Sequence, residues 1–413
     1  MKKRMLLVTL LIILSLILSG CWDYVEYEDL AQIVGLGMDY NNESHEITIS
    51  IQYPSIKKGK SGSSESSGAT AGSQWIVHSA TDTTLLGAFI KLQEAVPKKL
   101  FYGYLKVIIL GEDAAKYNLM EIIDEFNRTP SVHSSTYIVI SSGKAEDVLK
   151  TVDPSHISSG LDLYDLIHLA KNTGAAYPVT LIDFTQMLAI AGWEATAPRV
   201  ISIAAKSEKE EAKGGTQSKL KFNEERIGTQ RIAGMAVFKG EKFVGWLEEK
   251  ESRGLGWITN KKQTPFTTSE KAGEASTEDM LYYSVTEATG KIKVQMVNDK
   301  PIIYVNVKVN ADLRKYYRNK GADFLSSEEV SSAEQMLSDI IRSDIDAALQ
   351  KGQKELKSDI FGFGFALFRK DPKLWQNEYE AKWDDVFPDI PVNINVDVKI
   401  TNTGITIKRL ITK

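Results

Sequence analysis

Cysteine is nearly absent: the 413 residues hold one, Cys21. A disulfide framework, a zinc–thiolate cluster and a thiol nucleophile elsewhere are thereby excluded. Histidine is scarce as well. His45, His78, His133, His156 and His168 include no i, i+4 pair and no His-Glu-x-x-His run. A metal centre would need ligands gathered from distant segments, so no metal site is expected. No apolar run long enough to span a bilayer follows Leu18, so the remainder is expected to be a soluble ectodomain. An excess of positive charge is missing too: 50 Lys and Arg stand against 54 Asp and Glu, a formal net charge of -4. That balance argues against a nucleic-acid partner and against a basic membrane-adhesion patch.

Catalytic signatures are equally thin. There is no Gly-x-Ser-x-Gly elbow and no Walker A loop. Gly362-Phe363-Gly364-Phe365 lacks the third glycine of a dinucleotide fingerprint. Asp384-Asp385, ahead of Phe387-Pro388, reads as a solvated turn or cap rather than an acid/base pair. Glu248, Glu249 and Glu251 lie with Lys250 and Arg253 on what reads as a charged helix face. No catalytic residue, no cofactor and no enzymatic activity are therefore expected.

What is present begins at the N-terminus. Lys2, Lys3 and Arg4 precede an apolar run from Met5 to Leu18, and Ser19-Gly20 lead into Cys21. A basic head, an apolar core and a small-residue exit are the parts of an export signal. As a helix the run would reach only roughly 20 Å, short of the ~30 Å hydrocarbon core, so a cleaved signal fits better than a membrane span. Leu18-Ser19-Gly20-Cys21 also resembles the lipobox of bacterial lipoproteins. That likeness implies cleavage after Gly20 and an S-diacylglyceryl group on Cys21, with the chain held on the outer face of the cell membrane. Two acyl chains suffice for stable anchoring.

The composition beyond this point is that of a globular protein of two or three domains. Ile33 to Tyr40 reads as a strand whose glycines allow close backbone packing, and Ile47 to Tyr53 alternates as a half-buried strand does. Lys57 to Gln74, dominated by Gly, Ser, Ala and Thr, reads as a flexible loop before the strand Trp75 to His78. Strands and helices then alternate to Ala205. The expected division is an N-terminal mixed α/β domain over 21–205, a linker and small middle domain over 206–277, and a C-terminal α+β domain over 278–413. In the last, strands at Tyr282–Thr289, Lys291–Val297 and Ile302–Val309 turn at Gly290 and at Asn298–Pro301. A long amphipathic helix from Ser326 or Ser327 to about Lys357 should cross one face of this sheet. Gln263 to Thr277 reads as loop, and Val392–Ile400 and Ile405–Ile411 as closing strands. The fold class is α+β (mixed α/β), multi-domain, with a C-terminal antiparallel sheet packed by that helix.

Several segments, in order, resemble the Ger(x)C family, the lipoprotein C subunits of bacterial spore germinant receptors. They are Cys21-Trp22-Asp23 with Ile33 to Asp39; Gly234 to Gly240; Val244-Gly245-Trp246-Leu247 with Glu251-Ser252-Arg253-Gly254-Leu255; Asp359 to Gly364; Pro372-Lys373-Leu374-Trp375; and Trp383 with Phe387-Pro388. The resemblance runs from end to end of the chain. It implies three domains of mixed α/β structure without known catalytic activity. It also implies two multispanning partner subunits, one permease-like, in the spore inner membrane. The lipoprotein would support receptor assembly or transmit the nutrient signal. Trp246 and Trp257 flank a glycine-containing segment and are candidate partner contacts, against the plainer alternative of core packing. The competing function is a solute-binding lipoprotein that captures a small molecule for a transporter. It calls for two similar α/β lobes around a pocket, and the strand-rich C-terminal half argues against it.

Overall fold

The computed structural model describes residues 4–6, 25–55, 75–117, 119–152, 158–204, 226–260, 267–271, 280–298, 300–316 and 327–402. Gly20, Cys21, the whole of the Gly/Ser-rich stretch Lys57 to Gln74 and the expected strand Ile405–Ile411 lie outside these residues.

The first sheet holds nine strands among the described residues. In chain order they are β2 (Gly35–Asn41), β3 (Glu46–Pro54), β4 (Trp75–Asp82), β6 (Val107–Gly111), β7 (Tyr137–Ser141), β8 (Thr151–Val152), β9 (Thr196–Ala204), β10 (Arg226–Lys239) and β11 (Lys242–Leu247). Their order across the sheet is β11-β10-β9-β7-β6-β2-β3-β4, with β8 paired to β10. A parallel centre, β2-β6-β7-β9, is flanked by antiparallel strands on both sides. The centre reads as unbroken apolar sequence because helices cover both faces: Val107 to Leu110 and Ile138 to Ile140 are all 0% exposed. Ahead of it, β1 (Leu30–Gln32) pairs in parallel with β5 (Lys99–Phe101) as a small separate ribbon.

Helices follow the strands: α1 (Leu85–Ala95), α2 (Glu112–Lys116), α3 (Leu119–Arg128), α4 (Ala145–Lys150), α5 (Ser159–Thr173) and α6 (Leu181–Ala189). Their starts are chemically marked. Thr84 accepts the Gly87 amide, Ser158 accepts the Leu161 amide, and Thr180 with Asp183 forms a capping box. The β2 glycines serve close packing as the sequence predicts. A Cβ on Gly35 would meet Leu149 at 2.8 Å, and one on Gly37 would meet Ala145 at 3.1 Å, both on α4.

Strands β10 and β11 fall within the stretch expected as a linker and small middle domain, yet they are hydrogen-bonded into the first sheet through β9. The next helix, α7 (Glu249–Thr259), runs uninterrupted through Gly254 and Gly256. The second sheet is β12 (Thr267–Lys271), β13 (Met280–Val297), β14 (Lys300–Tyr316) and β15 (Val392–Asn402), in that order. β12 occupies part of the expected loop. Its Thr-Thr-Ser-Glu-Lys sequence has no apolar alternation, and it lies at a sheet edge.

β12, β13 and β14 are antiparallel, while β15 joins β14 in parallel. The long excursion through α8 (Ser327–Leu349) and the helical turns after it makes that crossover. The expected turn at Gly290 does not occur: β13 continues through it. The glycine is there for approach, since a Cβ would lie 2.1 Å from the Trp257 carbonyl oxygen. Its amide also donates to Asn260 Oδ1. Asn260, in the left-handed region at φ 53°, ends α7. The apolar stripe of α8 is buried through Ala333, Leu337, Ile341, Ile345 and Ala348, as its spacing predicts.

Candidate functional site

Of the segments quoted for the family resemblance, Gly234 to Gly240, Glu251 to Leu255, Asp359 to Gly364, Trp375 and Trp383 meet in one joint between the two sheets, while Ile33 to Asp39 lies within the first sheet. Two contacts make that joint.

The first is α7 against α8. Gly254 lets the helices touch: a Cβ there would lie 2.0 Å from the Asp344 carbonyl oxygen. Arg253 donates from Nε to Asp344 Oδ2 at 3.0 Å and from Nη2 to Oδ1 at 3.1 Å, a two-pronged pairing that fits a planar carboxylate. Asp344 is 1% exposed. Burial pushes its carboxyl up from the usual range, while the Arg253 guanidinium draws it down.

The second contact centres on Asp359. Its main chain and its neighbour Ser358 face the first sheet. The Asp359 carbonyl accepts the Glu194 amide at 3.0 Å, and the Ser358 hydroxyl donates to the Phe238 carbonyl at 2.6 Å. The Asp359 carboxylate accepts three donors. Phe363 N donates to Oδ1 at 3.0 Å, and Gly364 N and Trp383 Nε1 donate to Oδ2 at 2.8 and 3.0 Å. Two of these donors are free amides at the start of α9 (Phe363–Lys370), where a negative charge is well placed. Burial pushes the carboxyl up to about 7, and the Gly364 and Phe363 amides and the Trp383 indole work against that rise.

Glycine and tryptophan close the joint. Gly192 sits at φ +75°, and a Cβ on it would lie 2.7 Å from both the Gly364 backbone and the Trp375 ring. Trp193 stacks on Phe365 at 5.9 Å between centroids, Trp375 meets Trp383 edge-on at 5.1 Å, and Phe363 lies 6.3 Å from Phe387. At the rim, Glu194 accepts the Gly240 amide at 2.6 Å, and Lys239 pairs with Asp384 at 3.4 Å. Asp384 is thus a surface ion-pair partner. Asp344 and Asp359 are buried and hydrogen-bonded, Glu194 is half-buried and accepts the Gly240 amide, and Asp384 is exposed and paired with Lys239. The arrangement fastens two sheets together and presents no acid/base pair to a substrate cleft.

The two tryptophans named from sequence part company. Trp246, on β11, is half-buried. Phe243 lies edge-on at 4.7 Å and the Arg199 guanidinium covers its ring at 4.6 Å. Trp257, on α7, is 1% exposed and fills the core, so it offers no surface to a partner. Cys21 and Gly20 lie outside the described residues. Asp359 and Asp344 received no role from sequence, and Arg253 reads there only as part of a charged helix face. Local spacing gave no signal for Asp359: the N-cap of α9 is Gly362, three residues further on.

Comparison with known proteins supplies the context. The description "Spore germination protein N-terminal domain" matches residues 23–202, and "Spore germination B3/ GerAC like, C-terminal" matches residues 233–404. Spore germination protein KC of Bacillus subtilis (strain 168) is 26% identical over 98% of this chain and 97% of its own length. Spore germination protein A3 of the same organism is 24% identical over 98% of each chain. Spore germination protein B3, also of that organism, is 23% identical over 94% of this chain and 95% of its own. The crystal structure of the GerBC protein superposes with a TM-score of 0.55 at 19% identity, covering 89% of this chain and 97% of that one, a likeness of fold.

Proposed function

Because this chain belongs to the spore germination family that those two domains define, the GerAC-like or Ger(x)C family, we propose that it is the lipoprotein subunit of a nutrient germinant receptor. It is cut after Gly20, carries a diacylglyceryl group on Cys21, and stands on the outer face of the membrane (the inner membrane of the spore). Its partners are two multispanning subunits, one of them permease-like. Its task is to support receptor assembly or to pass the nutrient signal on, without catalysis.

The observation that carries this reading is collinearity. Relatives named as spore germination proteins align over nearly their whole length and nearly the whole of this chain. The joint adds physical support. A body made of two sheets, fastened by buried charge and close glycine contacts, is suited to transmitting force or holding partners in register. Among the described residues no helix is long and apolar enough to cross a membrane; on the lipobox reading, attachment is through the acyl group on Cys21. The solute-binding alternative needs two similar lobes. The two sheets differ in strand number and in strand direction, which weighs against it.

The test is affinity capture of the full chain from spore membranes. Recovery of two multispanning proteins supports the receptor reading, and recovery of a transporter pair redirects it to solute capture. Cys21→Ala should release the chain from the membrane fraction. If that variant stays membrane-bound and spores still germinate, protein partners hold it there instead of lipid.

A further inference from the structure

On the proposal that Cys21 is acylated, we infer that one end of the first sheet, the end at which its parallel strands begin, rests on the headgroup layer of the membrane and fixes how the ectodomain stands. Only residues 22–24 separate Cys21 from Val25. Four Cα steps of extended chain reach about 14 Å. The lipidated residue sits in the interface itself, so Val25 cannot stand far above it.

From Val25 the chain is fastened directly to the sheet end. A single helical turn, Tyr27–Asp29, leads into β1, and the Tyr27 hydroxyl donates to Gln32 Oε1 at 2.7 Å. β1 pairs with β5. The Ile33 amide then donates to the Phe101 carbonyl, the Lys106 amide to the Val34 carbonyl, and the Tyr137 amide to the Lys106 carbonyl. These bonds gather the starts of β2, β6 and β7 within one short stretch of the tether. This end of the sheet is thereby held close to Cys21, while the opposite end stands a strand length away.

The side chains at this end suit that contact. Tyr27 is 59% exposed and Tyr104 is 47% exposed. Lys99 and Lys106 are exposed, and Lys106 reaches over the Tyr164 ring at 5.7 Å. Tyrosine is at home at the headgroup level, with its ring toward the acyl boundary and its hydroxyl in water. Lysine stems lie along apolar surface while the ammonium stays among phosphates. Glu28 and Asp29 stand beside them, so the net charge of this end is not basic, in keeping with the acidic chain. Confinement by the tether and the aromatic residues carry the orientation.

The lone cysteine makes the test clean, because once Cys21 is acylated an introduced cysteine is the one free thiol. Full-length chain is incorporated into phosphatidylglycerol/phosphatidylethanolamine vesicles, and acylation is checked by intact mass. Lys99→Cys, Tyr104→Cys and Glu43→Cys are each labelled with a fluorophore and exposed to headgroup-quencher lipid. Glu43 is exposed in the hairpin at the far end of β3, about 30 Å away along a nine-residue strand. Quenching several-fold stronger at positions 99 and 104 than at 43 is the expected result. Equal quenching at both ends, or stronger quenching at position 43, in acylated protein overturns the orientation while leaving the anchor intact. A mass lacking the acyl group removes the anchor, and the orientation argument falls with it.

Discussion

Removing the Asp359 carboxylate should loosen the joint more than any surface change of similar size. In Asp359→Ala the Phe363 and Gly364 amides and the Trp383 indole all lose their acceptor. The site is closed: Asp359 is 3% exposed and Trp383 is 6% exposed. A buried donor stranded in this way costs about 1–3 kcal/mol, so three together should destabilise the fold by about 3–9 kcal/mol. Urea unfolding, followed by tryptophan fluorescence and by circular dichroism, measures the loss. Trp383→Phe supplies the control, removing one donor and keeping a ring, and should lose about 1 kcal/mol from that bond.

The same carboxyl has a pH signature. Its folded pKa, raised to about 7 by burial, lies above the ordinary 3.8. The folded state therefore holds the proton more tightly than the unfolded state between those values. By linkage, stability from this group is full below about pH 4, declines as pH rises toward 7, and is flat above. Asp359→Asn, which cannot titrate, should lack that decline. A loss below about 1 kcal/mol in Asp359→Ala, or an unchanged pH slope in Asp359→Asn, would refute the account of the joint.

Arg253→Met should leave Asp344 without its guanidinium partner in the interior and destabilise by about 3–5 kcal/mol, whereas pairing it with Asp344→Leu should recover most of that loss, as a double-mutant cycle in urea would measure. Gly290→Val should break the passage of β13 across the end of α7, because its Cβ would lie 2.1 Å from the Trp257 carbonyl oxygen; a drop in thermal midpoint and in soluble yield is the readout, and wild-type behaviour would mean the strand can shift aside. Trp257→Ala should cost about 3–5 kcal/mol as a core truncation. Trp246→Ala should cost about 1 kcal/mol through its cation contact with Arg199. If calorimetry gives equal losses at the two positions, the assignment of one to the core and the other to the half-exposed edge is wrong.

The sequence by itself determined what is local. The α8 stripe and the strand character of β3 and β10 follow from spacing and residue type, because each depends on neighbours a few residues away. The ordered motifs pointed to the family, and the matches to its two domains agree. What tertiary structure decided is what depends on distant partners. Gly290 reads as a turn in one dimension and is a clearance for the Trp257 carbonyl in three. β12 lacks any apolar period, so only its pairing with β13 makes it a strand.

The same holds for the strands at 226–247. Nothing in their own residues says which sheet they extend, since register is set by β9, some thirty residues earlier. Asp359 is the sharpest case. Its motif was visible, and its role was not. A carboxylate in a sequence looks like solvated charge, and only burial beneath Trp383 and against the start of α9 turns it into the brace of the segment whose main chain and Ser358 hydroxyl meet the first sheet.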